Sequence, residues 1–388
     1  MRGPAVVGAA LAALGLGTGA AAGAPLTLVQ QSGIVHQVLR GDRSVAWVRC
    51  LSPSGPSQVW SRPYATKRSV QLTSLGSAGC DTIRLAGLRA NTLVATVLGS
   101  DGLRRVSSFR LPAATETQLD KETSDAAART IVAADAYGPL VAWVREQTIG
   151  GARVAEVVTA DTRRPTQSTV ILRQTLLGDV VRVTGVWRDG SGNVAWREVL
   201  RTGGSYAYGT GRERLILRRT DGTTRVLSDV SGPVHIAGAD LERDRAVWSL
   251  VRDDSTAAWV YERELASGAK RLVRVARTAA QPGVRPGFDV PLPRLSGPRL
   301  VWRERTRLAN RAFSDGVQSV FLPDGRVRSV LRTADRRDQR LYVGPPDVLG
   351  AIAVWPQVTF AGPGGWRGGY AGLAPARATT RILTAGAS

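Results

Sequence analysis

Histidine, lysine, cysteine and methionine are scarce in this 388-residue chain, which holds 2 histidines, 2 cysteines and 1 methionine. Two histidines exclude a multi-histidine metal centre. Cys-x-x-Cys, His-Glu-x-x-His, Walker and Gly-x-Ser-x-Gly motifs are absent from the sequence, which removes the common signatures of redox, metalloprotease, nucleotide and hydrolase chemistry. We therefore predict no catalytic residues, no metal site and no cofactor, and we favour a protein without enzymatic activity.

Long apolar runs are also missing after residue 24, since none approaches the ~20 residues that a membrane-spanning helix needs. Residues 1–24 have the pattern of a secretory signal peptide, with Arg2, an apolar run over 5–16 and small residues over 20–24. This pattern predicts cleavage after Ala22 or Ala24. Residues 25–388 would then form one domain with no transmembrane segment, secreted or extracytoplasmic, in the periplasm or cell envelope. An uncleaved N-terminal anchor is the alternative.

The two cysteines, Cys50 and Cys80, are expected to form a disulfide because exported proteins meet oxidising conditions. The bridge would close a loop of 30 residues and join neighbouring repeat units, which corresponds to ~3 kcal/mol in the chain-entropy model. The alternative is two unpaired thiols, since spacing does not show that the Cβ atoms meet.

Acidic residues are few relative to basic ones: 31 against 52, a formal net charge of +21. Such a protein is attracted to anionic polymers and membrane surfaces, although arginine stems can also simply cover apolar strand surfaces. Nucleic acid is not an expected partner, because no groove-reading helix or RNA-binding signature is present. We expect a monomer whose partner is a protein or an anionic cell-surface polymer.

What the chain does contain is a repeat. A short apolar run ending in Val-Ala-Trp or a variant of it places tryptophans at positions 47, 143, 196, 248, 302 and 355, and a seventh copy ends at Thr96. The spacing of about 50 residues, with alternating apolar residues and Asp-Gly turns such as Asp221-Gly222 and Asp324-Gly325, predicts units of four short strands. We therefore predict an all-β fold, a β-propeller of seven four-stranded blades, with six or eight blades as alternatives.

The unit whose repeated phrase ends at Thr96, instead of tryptophan, is the irregular one. Its fourth strand is replaced by an acidic segment, residues 115–129, which we interpret as an exposed loop or short helix. The six tryptophans at equivalent positions indicate packing between blades rather than a ligand site. Both Leu26 to Val29 and Arg381 to Thr384 resemble outermost strands, so either could complete the last blade.

With its repeat length, strand pattern and Val-Ala-Trp phrase, the chain resembles the broad group of bacterial TolB-like β-propellers. The resemblance covers roughly residues 26–386 and implies a propeller fold but no particular family or ligand.

A candidate ligand site follows from aligning the first strands of the units, because the innermost strands of a propeller line its channel. The second positions of these strands carry residues that we predict to line the channel and bind an anion, His36, Arg84, Arg182, His235, Arg294 and Tyr342. Arginine offers a fork matched to carboxylate or phosphate. The alternative is that each side chain bonds only to neighbouring blades.

Two function hypotheses follow from these features. The first is an exported, non-enzymatic binding scaffold of the bacterial cell envelope that recognises a protein or an anionic surface polymer. The second is a hydrolase or lyase that acts on glycans or other anionic substrates at the channel mouth.

Overall fold

A computed structural model describes residues 24–51, 55–73, 79–80, 82–125, 128–177, 179–200, 211–253, 257–277, 292–307, 313–334, 339–361 and 378–387. These residues form 29 strands in seven antiparallel sheets, and the innermost strands follow one another around a closed ring. The chain is a seven-bladed β-propeller, as the repeat predicts.

Blades 1 to 6 each take four consecutive strands, ordered from the centre outwards. The first three blades are built from β2 (Ile34–Arg40), β3 (Ser44–Cys50), β4 (Gln58–Pro63) and β5 (Val70–Thr73); β6 (Ile83–Arg89), β7 (Thr92–Leu98), β8 (Arg104–Arg110) and β9 (Thr115–Lys121); and β10 (Thr130–Tyr137), β11 (Leu140–Ile149), β12 (Ala152–Asp161) and β13 (Ser168–Thr175). The next three are built from β14 (Val180–Arg188), β15 (Val194–Leu200), β16 (Arg212–Arg218) and β17 (Thr224–Ser231); β18 (Val234–Glu242), β19 (Arg245–Arg252), β20 (Ala257–Glu264) and β21 (Lys270–Arg277); and β22 (Arg294–Ser296), β23 (Arg299–Arg307), β24 (Phe313–Phe321) and β25 (Val327–Ala334).

Blade 7 combines the first and the last of the described strands. Its inner part is split into β26 (Gln339–Val343) and β27 (Asp347–Leu349), which both pair with β28 (Ile352–Ala361); β29 (Ala378–Gly386) follows. The outermost strand is β1 (Leu26–Ser32), which pairs antiparallel with β29. Both predicted end segments therefore belong to the last blade, and their pairing closes the ring.

The repeated tryptophans fill the clefts between blades, as predicted. Each packs on the preceding blade: Trp248, for example, shares a cluster with Leu215 and Leu217 of blade 4, and Trp302 shares one with Val247 and Val260 of blade 5. Five of the six are at most 1% exposed and Trp196 is 3% exposed. A wide indole ring suits this position because radially arranged blades diverge away from the centre.

Blade 2 differs from the prediction in two ways. Its fourth strand is present as β9, so the interpretation of residues 115–129 as a loop or helix is wrong for the first half of that segment. The acidic side chains are neutralised there: Asp120 is buried and accepts hydrogen bonds from Trp143 Nε1, Arg129 and Arg145 of blade 3.

The position that lacks tryptophan is also shifted by one residue. Ala95, rather than Thr96, packs in the cluster between blades 1 and 2, and Phe109 is the fully buried aromatic side chain of that cluster. Successive side chains of a strand point to opposite faces, so this difference of one residue decides which cleft the side chain enters.

The predicted disulfide between Cys50 and Cys80 is present and links the end of β3 to the segment just before β6. The predicted signal peptide falls almost wholly outside the described residues. Trp366, which is not one of the six repeated tryptophans, also lies outside them. In the part of the chain that the structure covers, no helix has the length and hydrophobicity to cross a membrane.

We expect Trp302→Ala to lower the free energy of unfolding by about 3–5 kcal/mol, because it empties a fully buried cleft position. Trp259→Ala, at a partly buried position of blade 5, should cost clearly less. Urea unfolding followed by circular dichroism measures both. Equal losses would contradict the packing role of the repeated tryptophans.

Candidate functional site in the central channel

The inner strands of the blades surround a small cavity on the axis of the ring. Its volume is about 40 Å³, which is room for a few water molecules, since each needs about 10–15 Å³ of such space. Charged side chains from all seven blades line it, namely Arg40, Arg89, Asp135, Arg188, Asp240, Glu242, Arg294 and Asp347.

Four of these residues occupy one repeating position. Asp135, Asp240, Arg294 and Asp347 each pair with the residue just before the tryptophan of their blade, across the two innermost strands. Because the position repeats, the four residues lie at the same height in the channel. There the Arg294 guanidinium lies near the carboxyl groups of the three aspartates.

The three aspartates hold neighbouring blades together. Asp135 Oδ2 accepts a hydrogen bond from the Arg188 backbone N–H at 2.7 Å. Asp240 Oδ2 accepts a hydrogen bond from the Leu295 backbone N–H at 2.7 Å. Asp347 Oδ2 accepts one from the Arg40 backbone N–H at 2.6 Å. Each bond runs from one blade to the inner strand of the next.

The electrostatics of the cavity follow from this burial. Burial raises the pKa of Asp135 to about 7, and the nearby Asp240 carboxylate adds to the rise while Arg294 opposes it. Burial also raises the pKa of Asp240. Arg294 Nη1 lies 3.9 Å from Asp135 Oδ1; although burial alone would lower the pKa of Arg294, the three carboxylates raise it. Arg294 thus has compensating carboxyl groups beside it inside the protein.

Aromatic rings accompany the arginines at the mouth of the cavity. Arg40 donates to Tyr64 Oη at 2.9 Å and stacks over its ring, and Arg89 lies over the ring of Tyr137. Tyr137 Oη donates to Glu242. Burial raises the pKa of Tyr64 to about 12 and also raises the pKa of Glu242, so the Tyr64 hydroxyl stays protonated at neutral pH and Glu242 takes up a proton more readily than an exposed glutamate.

The six predicted channel residues are placed differently from one another. Arg294 lines the cavity, and the other five are not in its lining within the described residues. Tyr342 is buried between blades 7 and 1 with Ile34 and Val358, under the guanidinium of Arg303.

The remaining four lie near the starts of the innermost strands. His235 pairs with Glu213 of blade 4 and with Asp253 of its own blade. His36 sits at the bulge of β2, and Arg84 and Arg182 are exposed. Anion binding by these residues remains a prediction, and the carboxylates around Arg294 oppose it at that position.

The sequence alignment missed Asp135, Asp240 and Asp347, although a signal was available. Each lies eight residues before the tryptophan of its blade, as Arg294 does. The alignment instead treated Arg294 as equivalent to His235 and Tyr342. It did so because the inner strand of blade 6 is only three residues long and that of blade 7 is divided. Among the described residues, no group of histidine, cysteine and acidic side chains is placed to hold a metal ion.

No protein-family model matches the chain, and no curated protein matches it in sequence. Similarity is found among solved structures. TolB from Acinetobacter baumannii is 13% identical, the match covering 76% of this chain and 64% of TolB, with a TM-score of 0.44. An oligogalacturonate lyase in complex with manganese is 12% identical over 95% of this chain and 94% of its own, with a TM-score of 0.52.

The β-propeller domain of the trilobed protease from Pyrococcus furiosus is 9% identical, and the match covers 84% of this chain and 92% of that one with a TM-score of 0.53. Identities this low show a common fold and nothing about function. The propeller fold that the resemblance to TolB-like proteins implies is confirmed by the seven sheets, and the lyase and the protease domain share it.

We expect the raised pKa of Asp135 to make stability depend on pH. The folded protein retains this proton up to about pH 7, whereas the ordinary pKa is 3.8. The free energy of unfolding should therefore fall as pH rises from about 4 to about 7. Asp135→Asn, whose amide oxygen can still accept the Arg188 N–H, should flatten that slope in urea unfolding measured at several pH values.

Asp161→Asn is the matched control. The Arg163 hydrogen bond lowers the pKa of Asp161, so its contribution has the opposite sign and is lost only below about pH 4. An unchanged slope in Asp135→Asn would show that Asp135 does not titrate in this window.

Proposed function

We propose that this chain is an exported, non-enzymatic binding scaffold of the bacterial cell envelope, and that its partner is an anionic polymer of the cell surface. The observation that carries the proposal is the distribution of charge among the described residues: acidic and arginine side chains face one another on the axis, while further arginines of the outer strands and turns are exposed.

The channel supports binding elsewhere rather than catalysis within it. A cavity of about 40 Å³ is far below the ~300–1,000 Å³ of typical small-molecule sites. Its aspartates are occupied by backbone N–H groups of neighbouring blades. Opening the centre to a sugar would require breaking the contacts between blades.

The outer surface supports attraction of anions. Arginines of the outer strands and hairpin turns are exposed, among them Arg153, Arg163, Arg225, Arg252, Arg326, Arg328 and Arg332. Some pair with acids, as Arg163 does with Asp161, but 52 basic residues face 31 acidic ones over the whole chain. The resulting field favours polyanions and weakens with salt.

Export is supported by the disulfide between Cys50 and Cys80, since such bonds persist in oxidising compartments, and by the composition of residues 1–24. The whole ring then faces the medium in which surface polymers are found.

A second candidate function is a lyase or hydrolase for anionic glycans. It is favoured by one observation, the placement of Asp135 with a pKa of about 7 beside the Arg294 guanidinium, since an acid that titrates near neutrality can act in general acid–base catalysis. Turnover of polygalacturonate that is abolished by Asp135→Asn would replace the scaffold proposal by this one.

We expect the purified protein to be retained on immobilised polyanions and released steeply as salt rises, because the Debye length shortens from ~10 Å at 0.1 M to ~3 Å at 1 M. Retention on polyphosphate and polygalacturonate beads, measured from 0.05 M to 1 M salt, tests this; neutral dextran beads are the control. Retention that is absent, or that does not change with salt, would rule the proposal out.

A further inference from the structure

Three cationic side chains converge in the cleft between blades 4 and 5, near the β20–β21 turn. Arg263 and Lys270 are directly opposite each other on β20 and β21, an arrangement of like charges that destabilises a sheet. Arg225 reaches across from β17 of blade 4 and packs over Gly268, where an added Cβ would come within 2.7 Å of its Nη2.

The contacts of these cations are with carbonyls and rings. Arg263 donates to Gly268 O at 3.1 Å and to Val226 O at 3.3 Å, and Lys270 Nζ lies 4.4 Å from the Tyr261 ring centroid. Within the described residues, no carboxylate forms an ion pair with any of the three. Arg263 is therefore held by carbonyls and Lys270 lies against a ring, while none of the three positive groups is paired with an acid among the described residues.

The next cleft, between blades 5 and 6, has the same construction and shows what is missing. There Glu262 and Arg271 are opposite each other on β20 and β21, and Glu262 accepts hydrogen bonds from Arg271 and Arg245. The equivalent pair in blade 4 is Leu217 with Arg225, so a buried leucine stands where blade 5 has its glutamate.

The wall formed by the following blade also differs between the two clefts, and again the cleft between blades 4 and 5 is the more positive. The positions in blade 6 that match Arg263 and Lys270 are Val320 and Val327, again a directly opposed pair. The cleft between blades 5 and 6 thus holds Glu262 facing two valines. The cleft between blades 4 and 5 holds Leu217 and Arg225 facing Arg263 and Lys270.

Electrostatics support the closeness of the three groups. Burial and the neighbouring Arg225 lower the pKa of Arg263, and burial and Arg263 lower the pKa of Lys270. Arg225 and Lys270 are both exposed, so an anion from solution can reach them.

We propose that this cleft, formed by Arg225, Arg263 and Lys270, binds the phosphoryl group of an anionic polymer. Donors that approach from two blades suit a tetrahedral oxyanion, which accepts hydrogen bonds on several sides, better than a planar carboxylate, which a single arginine fork can satisfy. This inference rests on the proposed function and gives it a site.

The test compares equivalent arginines of neighbouring clefts. Arg225→Gln and Lys270→Gln should each weaken binding to polyphosphate by about tenfold, the expected loss of a charge-assisted hydrogen bond. Arg271→Gln removes the same charge from the matching position of the next cleft and should change binding by less than about twofold. Binding is measured by fluorescence anisotropy of labelled polyphosphate, with thermal unfolding of each variant to verify the fold.

The outcomes separate this inference from the proposed function. Equal weakening by Arg225→Gln and Arg271→Gln would overturn the site but leave binding by the overall charge. A wild-type protein that binds neither polyphosphate nor polygalacturonate would overturn both proposals. Tighter binding of polygalacturonate would overturn the phosphoryl assignment. Stronger displacement of the label by inorganic phosphate than by an equal phosphate concentration of polymer would show a site for the free ion and overturn the polymer.

Discussion

The structure depends on one interaction, the hydrogen bond from an inner-strand N–H group to a carboxylate of the preceding blade. Asp135, Asp240 and Asp347 each accept such a bond, and the bond of Asp347 reaches from the last blade to the first. Glu213 and Asp315 make the same type of contact further out, to Ile236 and Val343. Since each bond sets the height of one blade against the next, it also aligns the tryptophans with their clefts.

This constraint explains why the channel is charged. Carboxylates are required to bind backbone N–H groups of neighbouring blades, and once they are buried they need a cation nearby. Arg294 supplies it. The charges on the axis are therefore part of the ring's construction, whereas described arginines such as Arg153, Arg225 and Arg328 are exposed on the outer strands and turns.

The architecture could be predicted from the sequence because it repeats. The tryptophan spacing gives seven units, and the alternation of apolar residues with Asp-Gly turns gives four strands per unit. The register of the inner strands could not be obtained in the same way. Bulges at Val35/Gln37, Leu85/Gly87 and Ile236/Gly238 shift side chains from one face to the other, and local patterns do not reveal where such a bulge falls.

The site was harder to predict than the fold for a related physical reason. The cleft of Arg225, Arg263 and Lys270 is made by residues about 40 positions apart in the sequence. It differs from the next cleft in having Leu217 in place of Glu262, and Arg263 and Lys270 in place of Val320 and Val327. In the linear sequence Leu217 is an ordinary apolar strand residue. Its importance follows only from the cross-strand pairing that places it opposite Arg225.

The pairing of β1 with β29 has a consequence for the order of assembly. Synthesis delivers β1 first and β29 last, and the contact between Val35 and Thr380 beside them spans 345 residues. During elongation the earliest strand has no partner, while blades 1 to 6 can each form from contiguous sequence. Topologies that depend on such distant contacts fold slowly, so the ring can close only after β29 has been synthesised, and a chain without β29 would expose the edges of its first and last blades.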